Sequence, residues 1–205
     1  MTETPKKGNY IGQAWLVILL ATLYGGALAG VQTTLGPIIE ENKRNETYDV
    51  IPRLVEGADK AKTVEVRVTG LDGKPTRVYQ ANTTDEGHVG WVLPGTGLGF
   101  ADRIDLLIGL GPQLTTITGI YVLDQKETPG LGNYITEDSF QQQFVGKRTD
   151  RRIGVVKTDP MADANEIRAL SGATISSESV ARIVNQTIAN LKEAIAAHGE
   201  QSNHD

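Results

Sequence analysis

Near its C-terminal end the chain reads SGATISSESV, residues 171–180, where small and hydroxylated side chains gather just ahead of an apolar-periodic segment. The first N–H groups of a helix have no partner within it and carry partial positive charge. Such a start can therefore hold an anion wherever the chain allows close approach. Gly172 and Ala173 remove side-chain bulk, while Ser171, Thr174, Ser176 and Ser177 offer hydroxyls that can donate to phosphate oxygens or, in one case, be esterified by a phosphate. A second reading asks for less: Ser176 or Ser177 caps the helix, which is worth about 1 kcal/mol. On this stretch alone the two readings stand side by side.

A second stretch, ETPGLG at residues 127–132, follows an apolar run of strand length. Pro129, Gly130 and Gly132 suit neither a helix nor a strand interior, so the loop exposes backbone to whatever lies against it. Glu127 and Thr128 carry groups able to hydrogen-bond to a ring, and Leu131 sits between the last two glycines. A tight turn with no ligand would have the same composition.

The elements that must position these loops follow from periodicity. TVEVRV (63–68) alternates apolar and polar residues, LDGKP turns the chain, and TRVYQA (76–81) completes a hairpin. GWVLPGTGLGF reads as glycine-rich punctuation, followed by RIDLLIGL and TITGIYVL as paired central strands. SFQQQFVGK suits a short helix and IGVVK a strand. From about Ser176 to Ala197 a helix is expected, with Val180, Ile183, Val184, Thr187, Ile188, Leu191 and Ile195 on one face.

The front of the chain is different in kind. No charged residue occurs from Gly8 to Ile39, and the core of that stretch, Ala14 to Val31, is almost wholly apolar or small, enough with its flanks to cross a bilayer as a helix of about 20 residues. Lys6, Lys7 and the tripeptide Ala27–Ala29 also fit a cleaved secretory signal, but the apolar stretch exceeds a usual signal core, so a retained anchor from about Ile11 to Val31 is expected. Gly25, Gly26 and Gly30 would let a neighbouring helix approach. Lys6, Lys7 and the terminal amine lie on one side of the span, and Glu40 and Glu41 open the other before Lys43 and Arg44. This places the tail in the cytoplasm and the domain outside it. After the span, paired apolar residues from Ile38 to Val55 suit an amphipathic helix interrupted by Pro52.

The fold class is thus α+β: one N-terminal transmembrane helix, a β-rich domain and a C-terminal amphipathic helix. Expected boundaries are a tail at 1–9, the span at 10–35, a juxtamembrane connector at 36–60, the domain at 61–198 and a polar tail at 199–205. A net charge of −5 over 205 residues, with no basic stripe interleaved with aromatics, excludes a general nucleic-acid binder. The chain has no cysteine, which excludes disulfides and thiolate metal ligands. His88, His198 and His204 are scattered, so neither a histidine metal site nor a histidine triad is expected.

The order and spacing of ETPGLG and SGATISS, behind IDLLIGL and TITGIYVLDQ and ahead of one amphipathic helix, resemble the FMN-binding domain of the G subunit of the Rnf ferredoxin:NAD oxidoreductase complex. The related C subunit of the sodium-pumping NADH:quinone reductase shares the pattern. The resemblance implies an electron-transfer protein within an ion-translocating complex in a bacterial or archaeal cytoplasmic membrane, without stand-alone catalytic activity. Its partners would be the other subunits, the membrane and, during maturation, a flavin transferase. It also implies covalent FMN, carried as a phosphoester on Thr174 with Ser171, Gly172, Ala173, Ile175 and Ser176 around the phosphate, and Glu127, Thr128, Pro129, Gly130, Leu131 and Gly132 against the flavin ring. The family pattern has an acidic residue three positions before the motif's first serine or threonine; here that position is Arg168, which could instead pair with the phosphate. Asp163 and Glu166 lie close but out of register. Two other classes compete: an anchored non-redox module holding a phosphorylated ligand, and a structural subunit with a vestigial flavin site.

Overall fold

The structure, a computed structural model, describes residues 10–85, 87–161 and 164–202. The basic tail at 1–9, Asp163 and the end of the polar tail at 203–205, which includes His204, lie outside the described residues. The chain divides into two units at Asn45/Glu46, and each is taken by itself.

The first unit is helical. Helix α1 spans Tyr10–Leu54, and its N-terminal part is long and apolar enough to cross a membrane, with none of that apolar window buried. Three threonine hydroxyls are satisfied within it: those of Thr22, Thr33 and Thr34 donate to the carbonyls of Ile18, Ala29 and Gly30 at 2.8, 2.9 and 2.8 Å. In an apolar solvent an unpaired hydroxyl would cost free energy, so this back-bonding suits a lipid-facing helix.

The second unit is built on one antiparallel sheet with strands in chain order: β1 (Val64–Thr69), β2 (Pro75–Asn82), β3 (His88–Leu98), β4 (Arg103–Leu110) and β5 (Ile117–Asp124). Successive side chains in a strand point to opposite faces, and here both faces are covered. Val66, Val78, Trp91, Leu93, Leu106 and Ile108 pack with Val180, Ile183, Val184 and Ile188 of the last helix, α3 (Thr174–Ser202). Their neighbours Tyr79, Val92 and Leu107 pack on the other face with Val50, Ile51, Leu54 and Val55. Burial on both faces explains why RIDLLIGL is nearly continuous in apolar residues, each worth about 1.5–3 kcal/mol when fully buried.

Three expectations are corrected. The stretch read as glycine-rich punctuation is largely β3, the middle strand of the sheet. Its glycines admit the helix: a Cβ at Gly95 would stand 2.7 Å from Thr187 Oγ1, and one at Gly97 2.6 Å from Ile183 Cγ1. Pro94 lies beyond Val92, the last residue that β2 pairs, so only β4 pairs with β3 there and the missing N–H can face the open side. Of the two apolar runs, β4 is interior, but β5 is an edge strand. Finally, α1 runs through Pro52, which sits in its last turn, so the one helix bond it cannot make, to the Tyr48 carbonyl, is lost at the helix end and not in its interior. Residues 46–55, read from sequence as part of a connector, belong to the second unit and supply one side of its core.

Between β5 and α3 the chain makes a short helix α2 (Asp138–Gln141), a 3₁₀ turn (Gln142–Phe144) and two short parallel strands, β6 (Gly154–Val156) and β7 (Glu166–Arg168). Phe140 and Phe144 anchor this region, fully buried and edge-on at 5.7 Å. Asn185 of α3 grips the entry to β6: its Oδ1 accepts from the Ile153 N–H at 2.8 Å and its Nδ2 donates to the Ile153 carbonyl at 3.0 Å. The strand pair is thereby fastened to α3.

Candidate functional site

The turn into α3 is made by Gly172, whose φ of +78° is a left-handed conformation that favours glycine. The Ala173 N–H donates to the Leu170 carbonyl at 3.0 Å, and α3 begins at Thr174. The four hydroxyls of the motif then divide. Ser177 is fully buried; its Oγ accepts from the Leu170 N–H and donates to the Ala173 carbonyl, both at 3.0 Å, which locks the turn. Ser176 is buried and donates to Glu127 Oε2 at 2.5 Å. Ser171, exposed, and Thr174, half-buried, have no hydrogen-bond partner for their hydroxyls among the described residues. Among the described residues neither Ser176 nor Ser177 accepts from an N–H of the first turn of α3, so the expected cap is not made; the two hydroxyls fix the turn and the second loop instead.

Those two line a cavity of about 510 Å³ whose far wall comes from α2 and the ends of β6 and β7. Register places Arg168 beside Val156, so Arg168 and Lys157, the residue that follows β6, arrive at the cavity together. Gln143 holds Arg168 by its backbone, its Oε1 accepting from the Arg168 N–H at 2.7 Å. The guanidinium donates to Asp159 Oδ1 at 2.6 Å, a pair open to solvent. Lys157 is exposed and has no partner among the described residues. Two cations, a helix N-terminus and a hydroxyl without a partner among the described residues surround one cavity, a chemistry able to hold an anion. The sequence reading missed Lys157, Ser139 and Gln143. Only the position of Lys157 at a strand end hinted at it, and nothing local pointed to the other two.

The ETPGLG loop lies against the same helix start. Pro129 and Gly130, with Gly130 at φ +75° and the Leu131 N–H donating to the Thr128 carbonyl at 3.2 Å, form a turn of the kind proline followed by glycine favours. Thr128, Pro129, Gly130 and Leu131 are exposed. Leu131 reaches across, since a Cβ on Gly172 would stand 2.9 Å from its Cδ2. Glu127 goes inward instead. It is 4% exposed, its Oε1 accepts from the Phe100 and Ala101 N–H groups at 2.9 and 3.1 Å, and its Oε2 accepts from Ser176. Gly132 is buried because nothing larger fits between Ser176 Oγ and the Glu127 side chain. Ala173 is buried and Ile175 exposed. The structure therefore gathers Ser171, Gly172 and Thr174 at the cavity with Arg168. It leaves Thr128–Leu131 as the outward part of the second loop and uses Glu127, Gly132, Ser176 and Ala173 in packing. Lys126 sits on the surface, 3.6 Å from Asp102, whose carboxyl is held below its ordinary value chiefly by the Arg103 N–H and further by Lys126.

The family model described as an FMN-binding domain matches residues 99–189. The chain is 38% identical over 110 residues to the G subunit of the ion-translocating oxidoreductase complex of Methanosarcina acetivorans, a match spanning 53% of this chain and 55% of that protein. It is 34% identical over 165 residues to the G subunit of the Na(+)-translocating ferredoxin:NAD(+) oxidoreductase complex of Acetobacterium woodii, covering 76% of this chain and 78% of that one. Among solved structures, the C subunit of the Na(+)-translocating NADH-quinone reductase of Parabacteroides distasonis has a TM-score of 0.59 at 20% identity, over 74% of this chain and 92% of that one, a likeness of fold.

Proposed function

The chain belongs to the family of G subunits of ion-translocating ferredoxin:NAD(+) oxidoreductase complexes, and we propose that it is a membrane-anchored electron-transfer protein with FMN held as a phosphoester on Thr174. One observation carries this reading: the Thr174 hydroxyl is without a partner among the described residues, at the start of α3, in a cavity shared with Arg168 and Lys157. The cavity has room for a phosphate and part of a ribityl chain, and Gly172 and Ala173 keep bulk away from the hydroxyl. Arg168 and Lys157 balance phosphate charge, with Arg168 able to exchange its exposed Asp159 partner for a phosphate oxygen. The outward residues Thr128–Leu131 lie against the ring. FMN, when bound, supplies reversible uptake of electrons, and the protein supplies position and electrostatics. Attachment is the work of a flavin transferase, and the other subunits deliver and remove electrons. The apolar part of α1 is a retained anchor in the cytoplasmic membrane, with the second unit on the extracytoplasmic side.

The test is the tryptic peptide of residues 169–182 from protein made alongside an active flavin transferase. It should be heavier by one FMN less water and fluoresce after denaturation. Thr174→Ala should leave a folded, membrane-inserted, flavin-free protein. An unmodified wild-type peptide would overturn the covalent reading, and modification at Ser171 would move the attachment.

A further inference from the structure

Glu127 is a buried carboxylate beside the start of α3, and no ion pair to it occurs among the described residues. Among the described residues its negative charge is met only by the Phe100 and Ala101 N–H groups, the Ser176 hydroxyl and the positive end of the helix. The fold makes room for it on two sides. A Cβ at Gly99 would lie 2.2 Å from Glu127 Oε1, and one at Gly132 would lie 3.0 Å from its Oε2. Three segments meet on this one side chain: the β3–β4 turn, the ETPGLG loop and the first turn of α3.

We infer that Glu127 is a positioning residue for the site at Thr174, fastening the β3–β4 turn to the start of α3 and lowering the reduction potential of a redox group held there by its fixed buried charge. The second half rests on the flavin reading; the first does not. Burying a carboxylate is costly, and two neutral amides and a hydroxyl only partly offset that cost. A neutral side chain of the same shape could make the same bonds. Glutamine at this position would accept from Phe100 and Ala101 and donate to Ser176 Oγ, which separates the charge from the geometry. A fixed negative charge near a flavin opposes the arrival of electrons, so removing it favours reduction.

The experiment uses the detergent-solubilised full chain. Hydrogen exchange in the Thr174→Ala background, free of flavin, reads positioning. Glu127→Ala should lose roughly tenfold or more of the protection in peptides covering 98–103 and 170–178 while the rest of the sheet stays protected, and Glu127→Gln should restore it. Should the alanine variant fail to fold, Ser176→Ala, which removes one of the three bonds and little packing, should lose protection in the same two peptides. Unchanged protection in the folded variant overturns the positioning role. In flavin-loaded protein, Glu127→Gln should have a more positive midpoint potential than wild type, and an unchanged potential overturns the role of the charge. If the wild-type 169–182 peptide carries no flavin, the flavin reading fails and with it the claim about potential, whereas exchange still decides the positioning.

Discussion

The Ser176 hydroxyl donates to the Glu127 carboxylate at 2.5 Å, joining positions 49 residues apart and holding the two chemically suggestive loops of this chain against each other. Gly132 lies against both partners. The bond makes the loops one unit, so changes in one should be felt in the other.

The two glycines of the second loop should therefore behave differently. Gly130 has φ +75° with open space around it, so Gly130→Ala should cost about 1–2 kcal/mol of backbone strain and no packing. A Cβ at Gly132 meets Ser176 Oγ at 2.7 Å, so Gly132→Ala forces the Glu127–Ser176 pair apart, with an overpacking cost of about 1–3 kcal/mol plus the damaged hydrogen bond. Thermal melts should rank Gly132→Ala below Gly130→Ala, and the opposite order would refute this account of Gly132.

Ile51 is fully buried among Leu54, Val55, Val92 and Leu107. Ile51→Ala should lower the unfolding free energy of the second unit by about 2–5 kcal/mol, measured by denaturant titration. A fragment beginning at residue 61 should bind hydrophobic dyes and aggregate, because Tyr79, Val92 and Leu107 lose their cover. A stable, monomeric fragment of that kind would show residues 46–55 to be dispensable.

His88 stands edge-on to Trp91 with ring centroids 5.2 Å apart. Partial burial beside Trp91 pulls the pKa of this otherwise exposed side chain below the ordinary 6.5, with a backbone hydrogen bond to Ala81 working the other way. As pH falls below 6.5 the unfolded chain takes up the proton first. The stability that neutral His88 contributes is therefore complete above 6.5 and declines as pH falls toward the folded-state pKa. Subtracting the melting curve of His88→Gln from that of wild type across this range should isolate the slope. An NMR titration giving His88 a pKa at or above 6.5 would contradict it.

The absence of cysteine makes the membrane orientation easy to probe. Gln113, exposed in the β4–β5 loop, is a neutral place for a single thiol. If the second unit lies outside the cytoplasm, as proposed, Gln113→Cys in cells with a permeabilised outer layer should react with a membrane-impermeant maleimide before lysis. Labelling only after lysis would reverse the orientation.

Sequence alone determined what depends on neighbours along the chain. An uncharged stretch long enough for a bilayer, a 3.6-residue apolar stripe from Val180 to Ile195, alternating strands and a hydroxyl-rich helix start are all local patterns, because their periods are set by backbone geometry. Only the tertiary structure decided what depends on partners far away in sequence. Gly95 and Gly97 read as a break until Thr187 and Ile183 are seen to need the space, which makes their segment the middle strand. The four hydroxyls of 171–177 look equivalent in a line of letters. Leu170, Ala173 and Glu127 claim Ser177 and Ser176 and leave Ser171 and Thr174 open. Glu127 looks like a ligand-facing acid, yet two backbone amides from another turn draw it inside, and Lys157 looks like a solvated end until the register of β6 with β7 sets it beside Arg168. Hydrogen bonds and close contacts act over a few ångströms of space with no regard to separation along the chain, so one-dimensional spacing carries no record of them.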